Sequence, residues 1–136
     1  MRIAIIDDDA DERKTLQASF ERLAQESGSA IVIIEFAGTD DFLDGYDRSF
    51  DLICMDIDMP GTDGIALAQA LAQLPQPPAV VFVTAHAEHA VKAFELDAAD
   101  YLTKPVRRER LQAALQKAER LTQINTAPAP DMAEQW

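Results

Sequence analysis

The stretch DLICMDIDMPGTDG, residues 51–64, joins an apolar run to a group of carboxylates. Its apolar half, together with the preceding Phe50, predicts a buried strand over residues 50–56, which ends at Asp56. Asp58 follows shortly after, before a Met-Pro-Gly turn and a third carboxylate. A calcium loop, a phosphate-transferring aspartate at a strand end and a turn without chemistry would all fit this pattern, so the rest of the chain must decide among them.

The composition indicates one globular domain. With 136 residues, of which 48% are hydrophobic, the chain can bury one substantial core.

The charge and the apolar pattern limit where the protein can bind and reside. Its formal net charge of -12 opposes binding to nucleic-acid phosphates and to anionic lipid. No apolar run approaches the ~20 residues that a bilayer span needs, and charge comes too early for a secretory signal, so we expect a cytoplasmic protein. Cys54, the single cysteine, lies in an apolar run and is expected in the core.

Strand and helix patterns alternate along the whole chain. Four further apolar segments predict strands: residues 2–6, 30–36, 79–85 and 99–103. Helical spacing of apolar residues predicts three helices: one capped by Asp9 with Leu16, Phe20 and Leu23, one with Leu67, Leu71 and Leu74, and a last one with Leu111, Leu115 and Ala118. Two shorter segments also predict helices: the weakly patterned residues 40–46, which follow Thr39, and residues 88–96.

This alternation predicts an α/β fold. Strands that are apolar almost throughout belong in a parallel sheet covered by helices on both faces, with right-handed crossovers. The common solution is the flavodoxin-like, doubly wound (βα)5 sandwich, whose five-stranded parallel sheet has the order 2-1-3-4-5. Ligands bind such sheets beyond the carboxyl ends of the strands, next to the point where the strand order reverses.

Polar residues follow the strands at that predicted edge. Asp7 and Asp8 follow the first strand, Asp56 ends the third, Thr84 lies at the end of the fourth, and Lys104 follows the fifth. Three close carboxylates repel one another, and Mg2+, which prefers oxygen ligands, would offset that repulsion. An aspartate can attack phosphorus to form an acyl phosphate, and a cation and a hydroxyl opposite the metal would then stabilise the phosphoryl oxygens. We therefore predict an acidic, Mg2+-dependent pocket with Asp56 as nucleophile.

The segments IIDDD, DLICMDIDMPGTDG, VFVTA and DYLTKPV resemble the receiver domains of two-component response regulators, from about Arg2 to about Thr122. The expected division is a receiver domain over residues 1–122 and a flexible tail or linker over 123–136. The resemblance implies a phosphorylation-dependent switch in which Asp56 accepts a phosphoryl group from a sensor histidine kinase or a histidine phosphotransfer protein. Catalysis would be limited to this self-phosphorylation and to slow autodephosphorylation.

The resemblance also assigns roles to individual residues. Mg2+ would be held by Asp7, Asp8, Asp56 and the backbone carbonyl of Asp58, and Lys104 would pair with the phosphoryl group. Thr84 and Tyr101 match the two switch positions that reshape the output face, which we define as residues 88–96, the fifth strand and the last helix. A homodimer through that face is expected. The positions of Asp58 and His86 tune the phosphoryl lifetime in the family, and the Lys104–Pro105 bond is usually cis.

The segment VTAHAEHAVKAFELDAADYLTKPV is most similar to receivers attached to LytTR-type DNA-binding domains. That similarity implies transcription regulation as the output, through a domain outside this chain. A receiver-fold interaction module that works alone or without phosphorylation is the alternative.

The same residues fit three other interpretations less well. The pair Asp56 and Asp58 resembles the DxD signature of haloacid-dehalogenase-like phosphatases, but that signature normally follows the first strand of the chain. A calcium loop is rejected because Pro60 and Leu67 occupy two ligand positions. His86 and His89 lack a third ligand and are expected at the surface.

Overall fold

The computed structural model describes residues 1–46, 49–57, 59, 64–86, 88 and 98–126. Its strands form one five-stranded sheet of order β2-β1-β3-β4-β5, in which every neighbouring pair is parallel. The predicted flavodoxin-like sheet order is therefore confirmed. The strands are β1 (Arg2–Ile6), β2 (Val32–Phe36), β3 (Leu52–Asp56), β4 (Ala79–Thr84) and β5 (Asp100–Thr103).

Four helices lie among the described residues. They are α1 (Ala10–Ser27), α2 (Thr39–Asp44), α3 (Gly64–Ala72) and the C-terminal helix (Arg108–Thr126). No helix in this part of the chain is long and apolar enough to cross a membrane.

Both faces of the sheet are covered, which explains why its central strands are apolar almost throughout. Every residue of β3 and β4 is buried. Because successive strand residues point to opposite faces, Leu52 and Cys54 join the core beneath α1 and the C-terminal helix. Ile53 and Met55 join the second core, beneath α2 and α3.

Helix α1 begins at the cap that the sequence predicts, and it ends at a glycine. The Asp9 carboxylate accepts hydrogen bonds from the backbone N–H groups of Asp11 and Glu12, at 2.9 and 3.1 Å. These bonds satisfy two of the N–H groups that a helix start leaves without a partner. At the other end Gly28 adopts a left-handed conformation with φ of 72°. The prediction that Asp9 is a cap is confirmed.

The element bounds differ from the predictions in a few places. The C-terminal helix continues to Thr126, beyond the expected domain boundary at residue 122. It ends close to Pro128, and proline disfavours helical geometry in the residue before it. The predicted helix at 88–96 lies outside the described residues except for Glu88. The division into a domain over 1–122 and a tail over 123–136 stays a prediction.

Candidate functional site

The sheet register brings the predicted acidic residues to one edge. β1 lies between β2 and β3, and Ile6 of β1 pairs with Met55 of β3. Asp7 comes directly after Ile6 and Asp56 directly after Met55, so the two aspartates lie side by side at the ends of neighbouring strands. Both aspartates are buried, with 6% of each residue exposed, whereas Asp8 is exposed. Parallel strands present their carboxyl ends at one edge, so a short polar segment after each strand is enough to build this cluster.

Three carboxylates at this edge can share one cation. One oxygen from each of Asp7, Asp8 and Asp56 lies within 4.8 Å of the other two. Burial raises the pKa of Asp7 above its usual value, and this effect outweighs the hydrogen bonds from the Asp9 backbone N–H and from Lys104. A partly buried, all-oxygen donor set of this kind fits a hard divalent cation such as Mg2+.

Lys104 supplies the positive charge inside the cluster. Its ammonium donates to Asp7 Oδ2 at 3.1 Å and to Asp56 Oδ2 at 3.0 Å, and it also contacts the carboxylate of Glu12. Burial alone would lower the pKa of Lys104, but the hydrogen bonds to these three carboxylates raise it above its usual value. The ammonium therefore stays charged at neutral pH.

A backbone hydrogen bond fixes the position of the Lys104 main chain. Its N–H donates to the carbonyl of Thr84 at 2.8 Å, so the segment after β5 is tied to the end of β4. The Lys104–Pro105 peptide bond is cis, as the family resemblance led us to expect. The lysine side chain then extends toward β1 and β3, where Asp7 and Asp56 lie.

Thr84 is fully buried at the end of β4. Its hydroxyl accepts a hydrogen bond from the His86 backbone N–H at 2.9 Å and donates to the His86 carbonyl at 3.2 Å. Tyr101, on the neighbouring strand β5, is half-buried against the core beneath α2 and α3. The two predicted switch residues thus lie on adjacent strands, and His86 itself is exposed.

Two residues near the site were not among the predicted ones. Glu12 contacts Lys104, and Arg13 donates from Nη1 to the backbone carbonyl of Asp7 at 2.6 Å and from Nε to Glu35 at 3.1 Å. Both lie in the first turns of α1, directly after the Asp9 cap. The helix pattern gives no signal for them, because charged residues at helical positions usually face solvent.

Three predicted features lie outside the described residues. They are Asp58 with its backbone carbonyl, the turn at Pro60 and Gly61, and His89. The structure therefore describes Asp7, Asp8, Asp56, Thr84, Tyr101 and Lys104 of the predicted site.

The chain is similar in sequence to proteins of one known family. A family model described as response regulator receiver domain matches residues 3–116. The chain is 38% identical over 128 residues to the sensory transduction protein LytR of Streptococcus agalactiae, covering 93% of this chain and 51% of the relative. It is 37% identical over 122 residues to the sensory transduction protein LytT of Bacillus subtilis, covering 89% of this chain and 49% of the relative. The chain thus spans about half the length of these curated relatives.

A solved structure gives the same result for the fold. The response regulatory domain of protein mrkE from Klebsiella pneumoniae superimposes with a TM-score of 0.72 at 32% identity. The match covers 90% of this chain and 98% of that domain. Both the sequence and the backbone therefore agree with the resemblance noted from the motifs.

Proposed function

The chain belongs to the response regulator receiver domain family, and from this premise we propose that it is a phosphorylation-dependent switch whose phospho-acceptor is Asp56. One observation carries the proposal. The buried Asp56 carboxylate has an oxygen within 4.8 Å of one oxygen each of Asp7 and Asp8, and it accepts a hydrogen bond from the Lys104 ammonium at 3.0 Å. A nucleophile beside both a candidate cation site and an ammonium suits phosphoryl transfer, which depends mainly on positioning and on charge stabilisation.

The donor would be a phosphohistidine on a sensor histidine kinase or a histidine phosphotransfer protein. An Asp56 oxygen attacks phosphorus, a new O–P bond forms, and the P–N bond breaks with its electron pair returning to the imidazole nitrogen. Asp7, Asp8, Asp56 and the backbone carbonyl of Asp58 would hold Mg2+. When bound, Mg2+ offsets negative charge on the transferring phosphoryl group.

Lys104 and Thr84 act on the product. The Lys104 ammonium passes from the Asp56 carboxylate to a phosphoryl oxygen, which adds a charge-assisted hydrogen bond. The Thr84 hydroxyl exchanges its bonds with the His86 backbone for a second phosphoryl oxygen, and Tyr101 turns inward behind it. Phosphorylation thereby favours one of two arrangements of the output face and, with it, a homodimer.

The output lies beyond this domain. We propose that residues 1–122 form the receiver, that 123–136 form a tail or linker, and that the protein is cytoplasmic and regulates transcription through a LytTR-type DNA-binding domain. The two relatives, of which the chain covers about half, are named as LytR and LytT sensory transduction proteins. The net charge of -12 makes direct nucleic-acid binding by this chain unfavourable.

Intact-protein mass tests the proposal. The protein is incubated with acetyl phosphate, with and without Mg2+, as wild type, as Asp56→Asn and as Asp41→Asn, a matched change at an exposed aspartate of α2. The expected result is a gain of one phosphoryl mass in wild type and Asp41→Asn that requires Mg2+ and is absent in Asp56→Asn. Equal gains in wild type and Asp56→Asn would refute the assignment, and no gain in any protein would favour the phosphorylation-independent module.

A further inference from the structure

Glu12 is a fourth carboxylate beside Asp7, Asp8 and Asp56, the three residues that form what we call the acidic edge of the sheet. It lies in the first turn of α1, where its backbone N–H is held by the Asp9 cap, so the start of its side chain is fixed. Its carboxylate contacts the Lys104 ammonium. The Glu12 side chain is 44% exposed, whereas that of Lys104 is 17% exposed, so Glu12 reaches in from the solvent side of the pocket.

The number of carboxylates around Lys104 equals the number of hydrogen bonds that its ammonium can donate. An ammonium has three N–H donors, and Asp7, Glu12 and Asp56 each accept from it. Asp7 and Asp56 have their own parts in the proposed reaction, one at the cation and one as nucleophile. Glu12 has no part in that reaction, and yet it accepts a hydrogen bond from the ammonium that a phosphoryl oxygen would need.

We propose that Glu12 restrains Lys104 in the unphosphorylated protein and so slows the phosphorylation of Asp56. This inference rests on the proposed function. Two effects act in the same direction: the Glu12 carboxylate competes with the phosphoryl group for a Lys104 donor, and its negative charge repels an anionic phosphodonor at the entrance. Glu12 is a positioning residue, because it acts on the reaction through Lys104.

The opposite role makes the opposite prediction. If Glu12 served only to hold Lys104 ready for the phosphoryl group, Glu12→Ala would slow phosphorylation, and Glu12→Gln, which keeps an acceptor, would restore it. If Glu12 restrains Lys104, both variants phosphorylate faster. The sign of the rate change therefore separates the two roles.

The first measurement is the initial rate of phosphorylation by acetyl phosphate at saturating Mg2+. Glu21→Gln, at an exposed position of the same helix, is the matched control. We expect Glu12→Gln and Glu12→Ala to be about two- to fivefold faster than wild type, the size of a partly exposed ion pair, with a smaller difference at high salt. Rates equal to or below that of wild type would overturn the inference.

The second measurement does not depend on phosphorylation. In metal-free protein, the side-chain ammonium of Lys104 is followed by 1H–15N NMR, with its signal assigned by its loss in Lys104→Arg. The signal should move in Glu12→Gln and stay in place in Glu21→Gln. An unmoved signal would overturn the inference even in a protein that phosphorylates. If the wild type is not phosphorylated, the proposed function fails and the rate claim falls with it, whereas the signal still decides whether Glu12 holds Lys104.

Discussion

Arg13 holds the backbone of the acidic edge in place through hydrogen bonds. Its guanidinium joins the Asp7 carbonyl, at 2.6 Å, to Glu35 on the edge strand β2, at 3.1 Å. A planar guanidinium can make both bonds in one orientation, whereas a lysine ammonium is a single point charge on a flexible stem. Arg13 thus holds the backbone from which two of the proposed Mg2+ ligands project.

Arg13→Lys should weaken Mg2+ binding by about tenfold, the size seen when a residue that orients a metal ligand is lost. The substitution keeps the positive charge, so the change reports geometry and not electrostatics. Isothermal titration of metal-free protein with Mg2+ measures it, and Arg22→Lys, at an exposed position of α1, is the control. Unchanged Mg2+ affinity in Arg13→Lys would show that the aspartates keep their positions without the Arg13 guanidinium.

Cys54 should be inert in the folded protein. It is buried in β3, and burial raises the pKa of its thiol to about 12, so almost no thiolate forms at pH 8. A thiol reagent should therefore modify Cys54 only at the rate of unfolding, and modification should accelerate with denaturant along the unfolding curve. Rapid modification in native buffer would contradict this burial.

The residues of the site divide into those that sequence can place and those that it cannot. Asp7, Asp8, Asp56 and Lys104 could be predicted to meet, because each follows a strand and parallel strands share one edge. Glu12 and Arg13 lie inside a helix pattern, where charged residues usually face solvent. Their contacts depend on how far a side chain reaches from the start of α1, and periodicity carries no information on that.

At the scale of elements, the start of α1 positions Glu12 and Arg13. Asp9→Ala should lower the free energy of unfolding by about 1 kcal/mol, because two backbone N–H groups lose their acceptor. Denaturant unfolding monitored by circular dichroism measures this change. Asp9→Asn keeps a side-chain acceptor and should lose much less, so equal losses in the two variants would mean that charge, and not the cap, matters at Asp9.

The elements themselves were largely predictable, and the exceptions have physical causes. Apolar runs bounded by turn residues located all five strands, because the sheet is covered on both faces. The C-terminal helix reaches Thr126 although its last residues, such as Asn125, are weak helix formers. Propensity alone favoured an earlier end, whereas a helix already propagating adds each further residue at little cost.

At the scale of the whole molecule, the acidic edge couples cation binding to stability. Mg2+ that binds the folded chain and not the unfolded one should raise the melting temperature, with a stabilisation of about 2.7 kcal/mol at a hundredfold excess over its dissociation constant. Thermal unfolding with and without Mg2+ measures the shift. It should shrink in Asp8→Asn and persist in Asp11→Asn, since both residues are exposed but only Asp8 belongs to the cluster. Equal shifts in these two variants would place the cation elsewhere.

The central claim is that the fold delivers one nucleophile, Asp56, to this edge. Its most direct test is to trap the phosphorylated protein with borohydride, which reduces an aspartyl phosphate to homoserine, and to locate the product by peptide fragmentation. We predict homoserine at position 56, formed only after incubation with a phosphodonor and Mg2+. Homoserine at Asp58 or at any other aspartate, with residue 56 unchanged, would contradict the account.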